Sequence, residues 1–269
     1  MAKKRLDLVL VEQGLAANRT QARGAIMAGR VLVDGQVADK AGTLVDDGAT
    51  LSIRGQDMPF VSRGGVKLAH GLDLFQIDLT DRIVLDAGAS TGGFTHCALE
   101  NGARLVYAVD VGYGQLAWQL RSDSRVVNME RTNVRHLTRQ HLQQGLPDFC
   151  SVDLAFISLA IVLPVLSQLL VEPGEMVLLV KPQFEAGKSL VGKGGVVREE
   201  AVHRQVLHNV LAAATKEGLH PYNLAWSPIR GPKGNIEFLL HAGLSPGEAT
   251  FDVETVVAAA HSQFSSATS

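Results

Sequence analysis

Four charged residues lie in segments that are otherwise apolar, and their charges alternate in sign along the chain. Lys181 ends the apolar run at residues 176–180, and Asp153 and Glu237 each lie inside a run that is predicted to form a buried strand. Charges in such surroundings are costly unless they meet partners of opposite sign. Together with Lys67, which falls on a predicted helix, these residues predict a network of two amines and two carboxylates.

An amine in such a network can act as a general base. Removal from water and a neighbouring positive charge both favour loss of its proton. A neutral amine can then accept a proton from a weakly acidic hydroxyl, such as a ribose 2′-hydroxyl. We predict that Lys181 is this base and that Lys67 supplies the neighbouring charge. Asp153 and Glu237 would hold the two amines in position. An ion-pair cluster that takes part in no reaction is the alternative.

A glycine-rich loop at residues 86–95 follows the first predicted strand of the longer part of the chain. Glycines let the backbone approach a ligand closely, and the helix that begins at Gly92 presents free N–H groups to an anion. Asp110 ends the next predicted strand, where a carboxylate can accept hydrogen bonds from ribose hydroxyls. The predicted cofactor-binding residues are Asp86, Gly88, Ser90, Thr91, Gly92, Gly93, Phe94, Asp110 and, at the adenine, Asn133.

The spacing of this loop favours a sulfonium methyl donor over a dinucleotide. Its glycines do not match the G-x-G-x-x-G pattern that binds a pyrophosphate. Asp86, which opens the loop, would repel a pyrophosphate but suits the amino group of a methionine moiety. We therefore predict S-adenosylmethionine as the cofactor. A nicotinamide dinucleotide, or a glycine turn that serves packing alone, is the alternative.

Two sequence features of other methyltransferases are missing, which reduces the choice of atom that accepts the methyl group. Amine methylation usually shows a polar-Pro-Pro-aromatic motif after the fourth strand, and here residues 153–156 read Asp-Leu-Ala-Phe. Methylation of carbon 5 in pyrimidines needs a nucleophilic cysteine. Cys97 falls in a predicted helix and Cys150 precedes a predicted buried strand, so both are expected to pack instead. Transfer to a ribose oxygen is the reaction that these residues favour.

Strands and helices alternate from residue 82 onward, which predicts an α/β fold with a mostly parallel, Rossmann-like sheet. Strands are predicted at residues 83–86, 105–110, 125–129, 151–156 and 176–181, helices at 92–101, 115–120 and 199–217, and two closing antiparallel strands at 222–227 and 236–241. Residues 5–53 instead predict two short helices followed by short strands, with a hairpin turn at Asp34-Gly35. This part is expected to be a small α+β unit.

The composition is that of a globular protein. Hydrophobic residues make up 46% and charged residues 19%, which argues against a disordered or fibrous chain. The two cysteines have neither the number nor the spacing for a disulfide framework or a metal site, so no metal is expected. The longest apolar run, residues 156–171, is interrupted and too short to cross a membrane. No signal-peptide pattern is found, and a cytoplasmic protein without membrane contact is expected.

The net charge of −2 says little about partners, but the basic residues are unevenly distributed. They precede the acidic residues in the small unit, and others flank the predicted catalytic residues. Such a distribution is typical of a surface that contacts RNA phosphates. The predicted RNA-binding residues are Arg5, Arg19, Arg23, Arg30, Arg63, Lys188 and Lys193. Solvated faces without a ligand are the alternative.

Several contiguous segments resemble the TlyA (hemolysin A) family of rRNA 2′-O-methyltransferases, and the resemblance covers essentially the whole chain. They are residues 61–68, 86–95, 110–116, 156–159, 180–185 and 231–237, while residues 5–7, 14–15, 19–22 and 29–31 resemble an S4 RNA-binding domain. The resemblance implies an S4-like domain at residues 1–57, a linker at residues 58–62, and an FtsJ-like S-adenosylmethionine-dependent methyltransferase domain at residues 63–269.

The resemblance also implies a function, because the Lys-Asp-Lys-Glu tetrad of FtsJ-like methyltransferases maps onto Lys67, Asp153, Lys181 and Glu237. The implied substrate is cytidine ribose in 16S or 23S ribosomal RNA, or both, within ribosomal subunits. One departure is Ala155, where the family is expected to have serine. We expect this residue to face away from Asp153 and assign it no role. A membrane-active protein, as the hemolysin name suggests, and a non-catalytic RNA-binding protein are the alternatives.

Overall fold

The computed structural model describes residues 3–13, 15–16, 18–46, 49, 51–53 and 59–265. The chain divides into two compact units, residues 1–58 and residues 59–269. Three sequence predictions fall outside the described residues. They are the domain boundary after residue 57, the first linker residue Met58, and the S4-like motif residue Gly14.

The first unit packs two helices with short antiparallel strands. Its elements are β1 (Lys3–Arg5), α1 (Leu6–Glu12), α2 (Arg19–Met27), β2 (Val31–Val33), β3 (Gln36–Ala38), β4 (Leu44–Asp46) and β5 (Leu51–Ile53). Strand β1 pairs with β4, and β2 pairs with both β3 and β5. Asp34 and Gly35 adopt positive φ angles of 50° and 81° between β2 and β3, which confirms the predicted hairpin.

A buried carboxylate ties the start of the first helix to two arginines. The Asp7 side chain is fully buried and accepts hydrogen bonds from Nε of Arg5 at 3.0 Å and from Nε of Arg19 at 2.9 Å. The hydrogen bond from Arg5 lowers the pKa of Asp7 to about 2 against the opposing effect of burial, and Arg19 lowers it further. Two of the arginines that were predicted to contact RNA therefore also stabilise the fold of this unit.

The second unit contains a seven-stranded sheet. Its strands are β6 (Ile83–Ala87), β7 (Leu105–Val109), β8 (Val126–Met129), β9 (Phe149–Val152), β10 (Glu175–Val180), β11 (His220–Trp226) and β12 (Phe238–Gly243). They lie in the order β11-β12-β10-β9-β6-β7-β8. The strands from β10 to β8 run parallel, and β12 is antiparallel to both of its neighbours. The predicted Rossmann-like α/β sheet and its antiparallel closing pair are confirmed.

Helices cover both faces of this sheet. They are α3 (Arg63–Phe75), α4 (Gly93–Glu100), α5 (Trp118–Arg121), α6 (Leu159–Leu169), α7 (Pro182–Glu185), α8 (Glu200–Lys216) and α9 (Val253–Ser265). Leu68 on α3 and Phe94 on α4 belong to the core of one face, whereas Leu163 on α6, Leu207 on α8 and Val257 on α9 belong to the other. Because both faces are covered, the parallel strands are apolar along most of their length, which is the pattern that predicted them.

One predicted strand ends earlier than the apolar pattern indicated. The sequence predicts a strand over residues 151–156, whereas β9 ends at Val152. Beyond it the backbone leaves the sheet, and Phe156 adopts a positive φ of 63°, which lies outside the β region. Asp153 therefore lies immediately after its strand, and Glu237 lies immediately before β12, instead of within apolar strands as predicted.

One predicted helix is also shorter than expected. The sequence predicts a helix over residues 115–120, but only the four residues of α5 are helical. The preceding segment is held as a loop because the Gln115 amide donates a hydrogen bond to Oε1 of Glu130 at 3.1 Å. The side chain of Gln115 is engaged as well, since it accepts a hydrogen bond from the Ser90 hydroxyl at 3.2 Å.

The described part of the predicted linker is packed onto the second unit. Phe60 and Val61 are partly buried against the core that contains Leu68. The Val61 amide donates a hydrogen bond to Nδ1 of His96 at 3.2 Å, and the Phe60 ring meets the His96 ring edge-on at 5.8 Å. This segment therefore fixes the entry into α3, and through α3 the position of Lys67.

We expect Asp7→Asn to destabilise the first unit by roughly 1–3 kcal/mol at neutral pH, because two guanidinium groups lose a buried ionic acceptor. The folded pKa of Asp7 lies near 2 and the unfolded value near 3.8, so the wild-type stabilisation is complete above about pH 4 and declines as the pH falls toward 2. Hydrogen exchange of the α1 and α2 amides in the full chain measures this stability separately from the second unit.

The matched control is Glu12→Gln. Its carboxylate pairs with Lys4 at 2.9 Å on the surface of the same unit. Exposed pairs contribute little, so a change within about 0.5 kcal/mol is expected. Equal protection of the α1 amides in Asp7→Asn and in the wild type would contradict a structural role for the Asp7 pairings.

Candidate active site

Polar side chains collect at one edge of the seven-stranded sheet. Asp153 and Lys181 follow the carboxyl ends of the parallel strands β9 and β10, and Glu237 precedes β12, which runs in the opposite direction. The register pairs Val180 with Phe238, so Lys181 and Glu237 leave the sheet side by side. Lys67 reaches the same edge from α3. This is the edge at which open α/β sheets bind their ligands.

The four predicted catalytic residues form two ion pairs. Nζ of Lys67 lies 2.5 Å from Oε2 of Glu237, and Nζ of Lys181 lies 2.5 Å from Oδ1 of Asp153. The side chains of the first pair are 9% and 1% exposed, whereas those of the second are 13% and 22% exposed. The Lys181–Asp153 pair is therefore the one that incoming molecules can reach, and the Lys67–Glu237 pair lies beneath it.

Both pairs line a cavity of about 430 Å³, which we call the catalytic cavity. Basic, acidic and backbone groups surround it, and the glycine loop forms one wall. The lining residues are Ser62, Arg63, Gly64, Lys67, Gly88, Ala89, Ser90, Thr91, Gly93, Phe94, Asp153, Ala155, Lys181, Arg230, Pro232 and Glu237. Five of the nine predicted cofactor-binding residues thus face the same space as the ion pairs.

A second cavity of about 440 Å³, which we call the nucleoside cavity, adjoins the first. The two share Gly88, Ser90, Asp153 and Ala155 among their lining residues. The nucleoside cavity has apolar walls with a few polar groups, a composition that is typical of nucleoside sites. It is lined by Gly88, Ser90, Val109, Asp110, Val111, Gln115, Thr132, Asn133, Val134, Arg135, Asp153, Leu154, Ala155, Phe156 and Ile157.

Asp110 is held rigidly at the entrance to the nucleoside cavity. Its Oδ2 accepts a hydrogen bond from the Ser90 amide at 2.8 Å, and its Oδ1 accepts one from the Gly112 amide at 2.7 Å. A carboxylate has about four lone-pair positions, so both oxygens can still accept hydrogen bonds from a ligand. Asn133 lies across the cavity, where its side chain accepts a hydrogen bond from the Arg135 amide at 3.1 Å.

Gly88 lets the glycine-rich loop at residues 86–95 pack closely against Asp153. Its φ is +96°, and a Cβ at this position would lie 2.5 Å from the backbone oxygen of Asp153. Gly92, with a φ of +97°, is the residue from which α4 begins. Gly88 thus permits close packing against the Asp153 backbone and Gly92 permits the turn into α4, while the predicted approach of this backbone to a ligand stays a prediction.

The structure does not place the Asp86 side chain where the sequence predicted it. Asp86 was expected to contact the amino group of a methionine moiety, but its side chain is fully buried and lines neither cavity. It accepts hydrogen bonds from the hydroxyls of Thr95 at 2.6 Å and Ser151 at 3.4 Å. Burial raises the pKa of Asp86 to about 7 against the effect of Thr95, and the charge of Asp153 adds to the rise. Asp86 therefore links the start of the glycine-rich loop to α4 and β9 through buried hydrogen bonds.

Ala155 also differs from its prediction. It was expected to face away from Asp153 in a strand, but residues two apart share a strand face, β9 has already ended, and Ala155 lines both cavities together with Asp153. Sequence reasoning missed Arg230 as well, although it stands next to the conspicuous glycine-rich segment at residues 231–237. Arg230 lines the catalytic cavity opposite the cofactor loop, and its backbone oxygen accepts a hydrogen bond from Nη2 of Arg63 at 3.4 Å.

The predicted RNA-binding residues divide between the two units. In the first unit Arg5 and Arg19 are engaged with Asp7, whereas Arg23 and Arg30 are exposed. In the second unit Arg63 lines the catalytic cavity. Lys188 lines a shallow cavity of about 890 Å³ that also contains Arg135 and the neighbouring rings of Phe156 and Phe184, and Lys193 is exposed.

The two cysteines are buried and have no nucleophilic character. Burial raises the pKa of Cys97 to about 12, and the charge of Asp86 adds to the rise. Burial raises the pKa of Cys150 further still. A thiol reacts as its thiolate, so neither residue can start a covalent methylation of a pyrimidine carbon at ordinary pH.

The sheet has the Rossmann-like topology of many nucleotide-binding enzymes, and a family model shows which of them this chain resembles. The model of the FtsJ-like methyltransferase family matches residues 60–244, and that of the S4 domain matches residues 4–51. Over the parts of the chain that are described, every helix is too short or too polar to span a membrane.

Three comparisons with known proteins agree on a family. The chain is 47% identical over 242 residues to the 16S/23S rRNA (cytidine-2′-O)-methyltransferase TlyA of Mycobacterium tuberculosis, covering 89% of this chain and 90% of that protein. It is 38% identical over 238 residues to hemolysin A of Brachyspira hyodysenteriae, covering 88% and 98%. A solved structure from Streptococcus thermophilus superposes with a TM-score of 0.78 at 45% identity, covering 99% and 98%. The chain belongs to the TlyA (hemolysin A) family of FtsJ-like methyltransferases with an S4 domain.

We expect Asp86→Asn to remove a pH dependence from the stability of the second unit. Folded Asp86 keeps its proton up to about pH 7, whereas the unfolded carboxyl loses it near pH 3.8. The wild-type free energy of unfolding therefore falls as the pH rises through this window, by an amount on the order of a few kcal/mol. Denaturant unfolding of the second unit between pH 4 and pH 8 measures the slope for both proteins.

Asp73→Asn, an exposed carboxylate in the last turns of α3, is the matched control and should leave the wild-type slope intact. Identical pH profiles for the wild type and Asp86→Asn would show that Asp86 is already ionised within the folded protein at pH 4.

Proposed function

We propose that this chain is an S-adenosylmethionine-dependent RNA methyltransferase that modifies the ribose 2′-oxygen of cytidine in ribosomal RNA. One observation carries the proposal. Two lysine–carboxylate pairs line the catalytic cavity, which the glycine-rich loop also lines and which adjoins the nucleoside cavity. The family relationship supports it, since one relative is named as a 16S/23S rRNA (cytidine-2′-O)-methyltransferase.

The nucleoside cavity fits the adenosine part of S-adenosylmethionine. Asp110 offers two fixed carboxylate oxygens to the ribose hydroxyls, and Asn133 offers an amide to the adenine edge. Val109 and Val134 supply apolar wall for the base. The first turn of α4, which begins after Gly92, offers free N–H groups to the methionine carboxylate. When bound, the cofactor supplies an electrophilic methyl group on a positively charged sulfur.

Lys181 is placed to act as the general base. Its side chain lines the catalytic cavity, and its amine is paired with Asp153, which lines both cavities. In its neutral form, Nζ of Lys181 would accept the 2′-hydroxyl proton as the hydroxyl oxygen takes the methyl group and the donor's carbon–sulfur bond breaks. Asp153 then stabilises the ammonium that forms. A fixed carboxylate at this point needs no reorganisation during the reaction.

Lys67 and Glu237 line the same cavity as Lys181. Their pair is almost completely buried, and Glu237 balances the positive charge that Lys67 was predicted to supply beside Lys181. Gly231 permits this arrangement, because a Cβ there would collide with Oε1 of Glu237. Removal of either partner would leave an uncompensated charge in a buried position, which is strongly unfavourable.

Recognition of ribosomal RNA is assigned to basic residues in both units. Arg23 and Arg30 are the exposed, predicted contacts of the S4-like unit, and Arg63 stands at the catalytic cavity. Phosphate contacts of this kind supply affinity and register but little sequence information. The choice of the target cytidine within a ribosomal subunit is therefore expected to depend on the shape of the surrounding RNA.

We expect Lys181→Arg to reduce the rate of methyl transfer by about 10²–10⁴-fold, because a guanidinium keeps the pair with Asp153 but cannot accept a proton. Binding of S-adenosylmethionine, measured by calorimetry, should be little changed. The assay follows labelled methyl transfer to small subunits, large subunits and free ribosomal RNA, and the product is mapped by reverse-transcription stops.

The matched control is Lys216→Arg at the exposed end of α8, which should transfer methyl groups at the wild-type rate. Full activity of Lys181→Arg would eliminate Lys181 as the base. Wild-type protein that binds the cofactor and RNA but methylates none of the three substrates would instead favour a non-catalytic RNA-binding protein.

We expect Asp110→Asn to weaken S-adenosylmethionine binding by about 10–100-fold, since a charged acceptor of ribose hydrogen bonds is lost. An analogue without ribose hydroxyls should bind the variant and the wild type equally, which separates the ribose contact from a general disturbance of the loop. Asp123→Asn, whose carboxylate pairs with Arg125 before β8, is the control and should bind as the wild type does. A variant that loses affinity equally for both ligands would contradict the ribose contact.

A further inference from the structure

A further cavity of about 240 Å³, which we call the cationic cavity, shares Arg230 with the catalytic cavity. Three positively charged side chains face it, and none of its described lining residues is acidic. The lining residues are Val196, Val197, Arg198, Arg230, Lys233, Gly234, Ile236 and His261. Such a set of side chains attracts an anion.

The cations are brought together by one buried asparagine. Asn235 is 2% exposed; its Oδ1 accepts a hydrogen bond from the Val197 amide at 2.9 Å and its Nδ2 donates one to the Gly195 oxygen at 2.9 Å. The segment that carries Arg198 is thereby fastened to the turn that carries Lys233. The backbone of the turn between β11 and β12 therefore holds a fixed position relative to the segment that carries Arg198.

The positive charge of this cavity is not neutralised by its neighbours. Within the described residues, Arg198, Arg230 and Lys233 form no ion pair, and the guanidinium of Arg230 donates only to the backbone oxygen of Phe264 at 2.7 Å. Glu200, whose charge acts on His261, is itself paired with Arg204 at 2.5 Å.

His261 adds no charge to the cavity at neutral pH. Burial lowers the pKa of His261 against the opposing effect of Glu200, and the positive charges of Arg204 and Arg230 lower it further. Its Nε2 lies 2.8 Å from Nδ1 of the buried His203 on α8, so the ring is held in place by a neutral partner. The anion-binding character of the cavity therefore rests on the two arginines and the lysine.

Arg230 connects this cavity to the proposed site of methyl transfer. It lines both the cationic cavity and the catalytic cavity. Its backbone oxygen accepts a hydrogen bond from Arg63, which lines the catalytic cavity from the other side. Arg63 and Arg230 line the catalytic cavity, and Arg230 and Lys233 line the cationic cavity, so the three form a series of cations that connects the two cavities.

We propose that the cationic cavity binds a backbone phosphate of the RNA strand next to the nucleotide that is methylated. The proposal rests on the proposed function, because a strand that places a ribose at Lys181 must carry its neighbouring phosphates out of the catalytic cavity. Arg and Lys contacts to phosphates supply most of the affinity for nucleic acid. A free phosphate ion has the same chemistry, but it gives no reason for Arg230 to face both cavities.

The test uses Lys233→Glu and Arg198→Glu in the full chain. Both residues are exposed, so neither change disturbs the core, and neither residue lines the catalytic cavity. Arg230 is left intact because it lines the catalytic cavity and binds α9. The control is Lys216→Glu, which removes the same charge from the far end of α8. Lys233→Arg keeps the charge and should behave as the wild type.

The first measurement is the affinity for a labelled oligocytidylate RNA as the salt concentration is raised. Each charge reversal should weaken binding by roughly tenfold at low salt and reduce the slope of log affinity against log salt by about 0.7–1. The second measurement is methyl transfer to ribosomal subunits, in which KM should rise while kcat stays near its wild-type value. Lys216→Glu should change neither.

Other outcomes are equally informative. Unchanged RNA affinity and salt slope in both variants would overturn the proposal. Titration with inorganic phosphate distinguishes the other source of the anion, because saturable phosphate binding that the variants lose, with RNA binding intact, would assign the cavity to a free ion and also overturn it. RNA binding is read without methyl transfer, so an inactive wild-type protein would defeat the proposed function while leaving this test decisive.

Discussion

The structure depends on the pairing of two amines with two carboxylates at the edge of an otherwise apolar sheet. Lys67 with Glu237 and Lys181 with Asp153 balance their charges, which is the condition for keeping four ionic groups largely out of water. The same balance of charges limits proton transfer at this site. One amine must be able to take up a proton without loss of the other pair, and the greater exposure of the Lys181 pair allows this.

The ends of the sheet strands place most of these groups, so few additional elements are needed. Parallel strands deliver Asp110, Asp153 and Lys181 at the same edge because their carboxyl ends coincide there, and the reversed strand β12 delivers Glu237 from its beginning. Helix α3 adds Lys67 across the edge. The proposed cofactor contacts and the proposed proton transfer thereby fall on strand ends, whereas the proposed RNA contacts lie on turns and exposed helices.

The sequence could predict the sheet and the identity of the paired residues, because apolar runs that end in a charge are rare and expensive. It could not predict which way side chains point once a strand has ended. Ala155 lines the cavities beside Asp153, and the expectation that it faces away was an error of reasoning, because residues two apart share a face even within a strand. Asp86 was misplaced for a different reason, since its burial beneath the loop depends on Thr95 and Ser151 from other elements.

The arginines of the first unit illustrate a second limit. Arg5 and Arg19 read as a basic surface in the sequence, but the partner that engages both, Asp7, is recognisable only when the helices are packed. Arg230 was overlooked because its neighbours in the sequence resemble a turn, and its importance comes from the two cavities that meet at it. Pairings between distant segments are therefore what the sequence alone left undetermined.

The near-contact between Gly88 and the Asp153 carbonyl has a consequence for redesign of the cofactor site. No side chain can be introduced at Gly88 without displacing the partner of Lys181, so the loop and this ion pair cannot be altered independently. Ala155 lines both cavities, so under the proposed function a larger residue there would narrow the space for the methyl donor. Enzymes adapted to transfer larger alkyl groups would thus have to gain their room around residue 155, with the glycine left as it is.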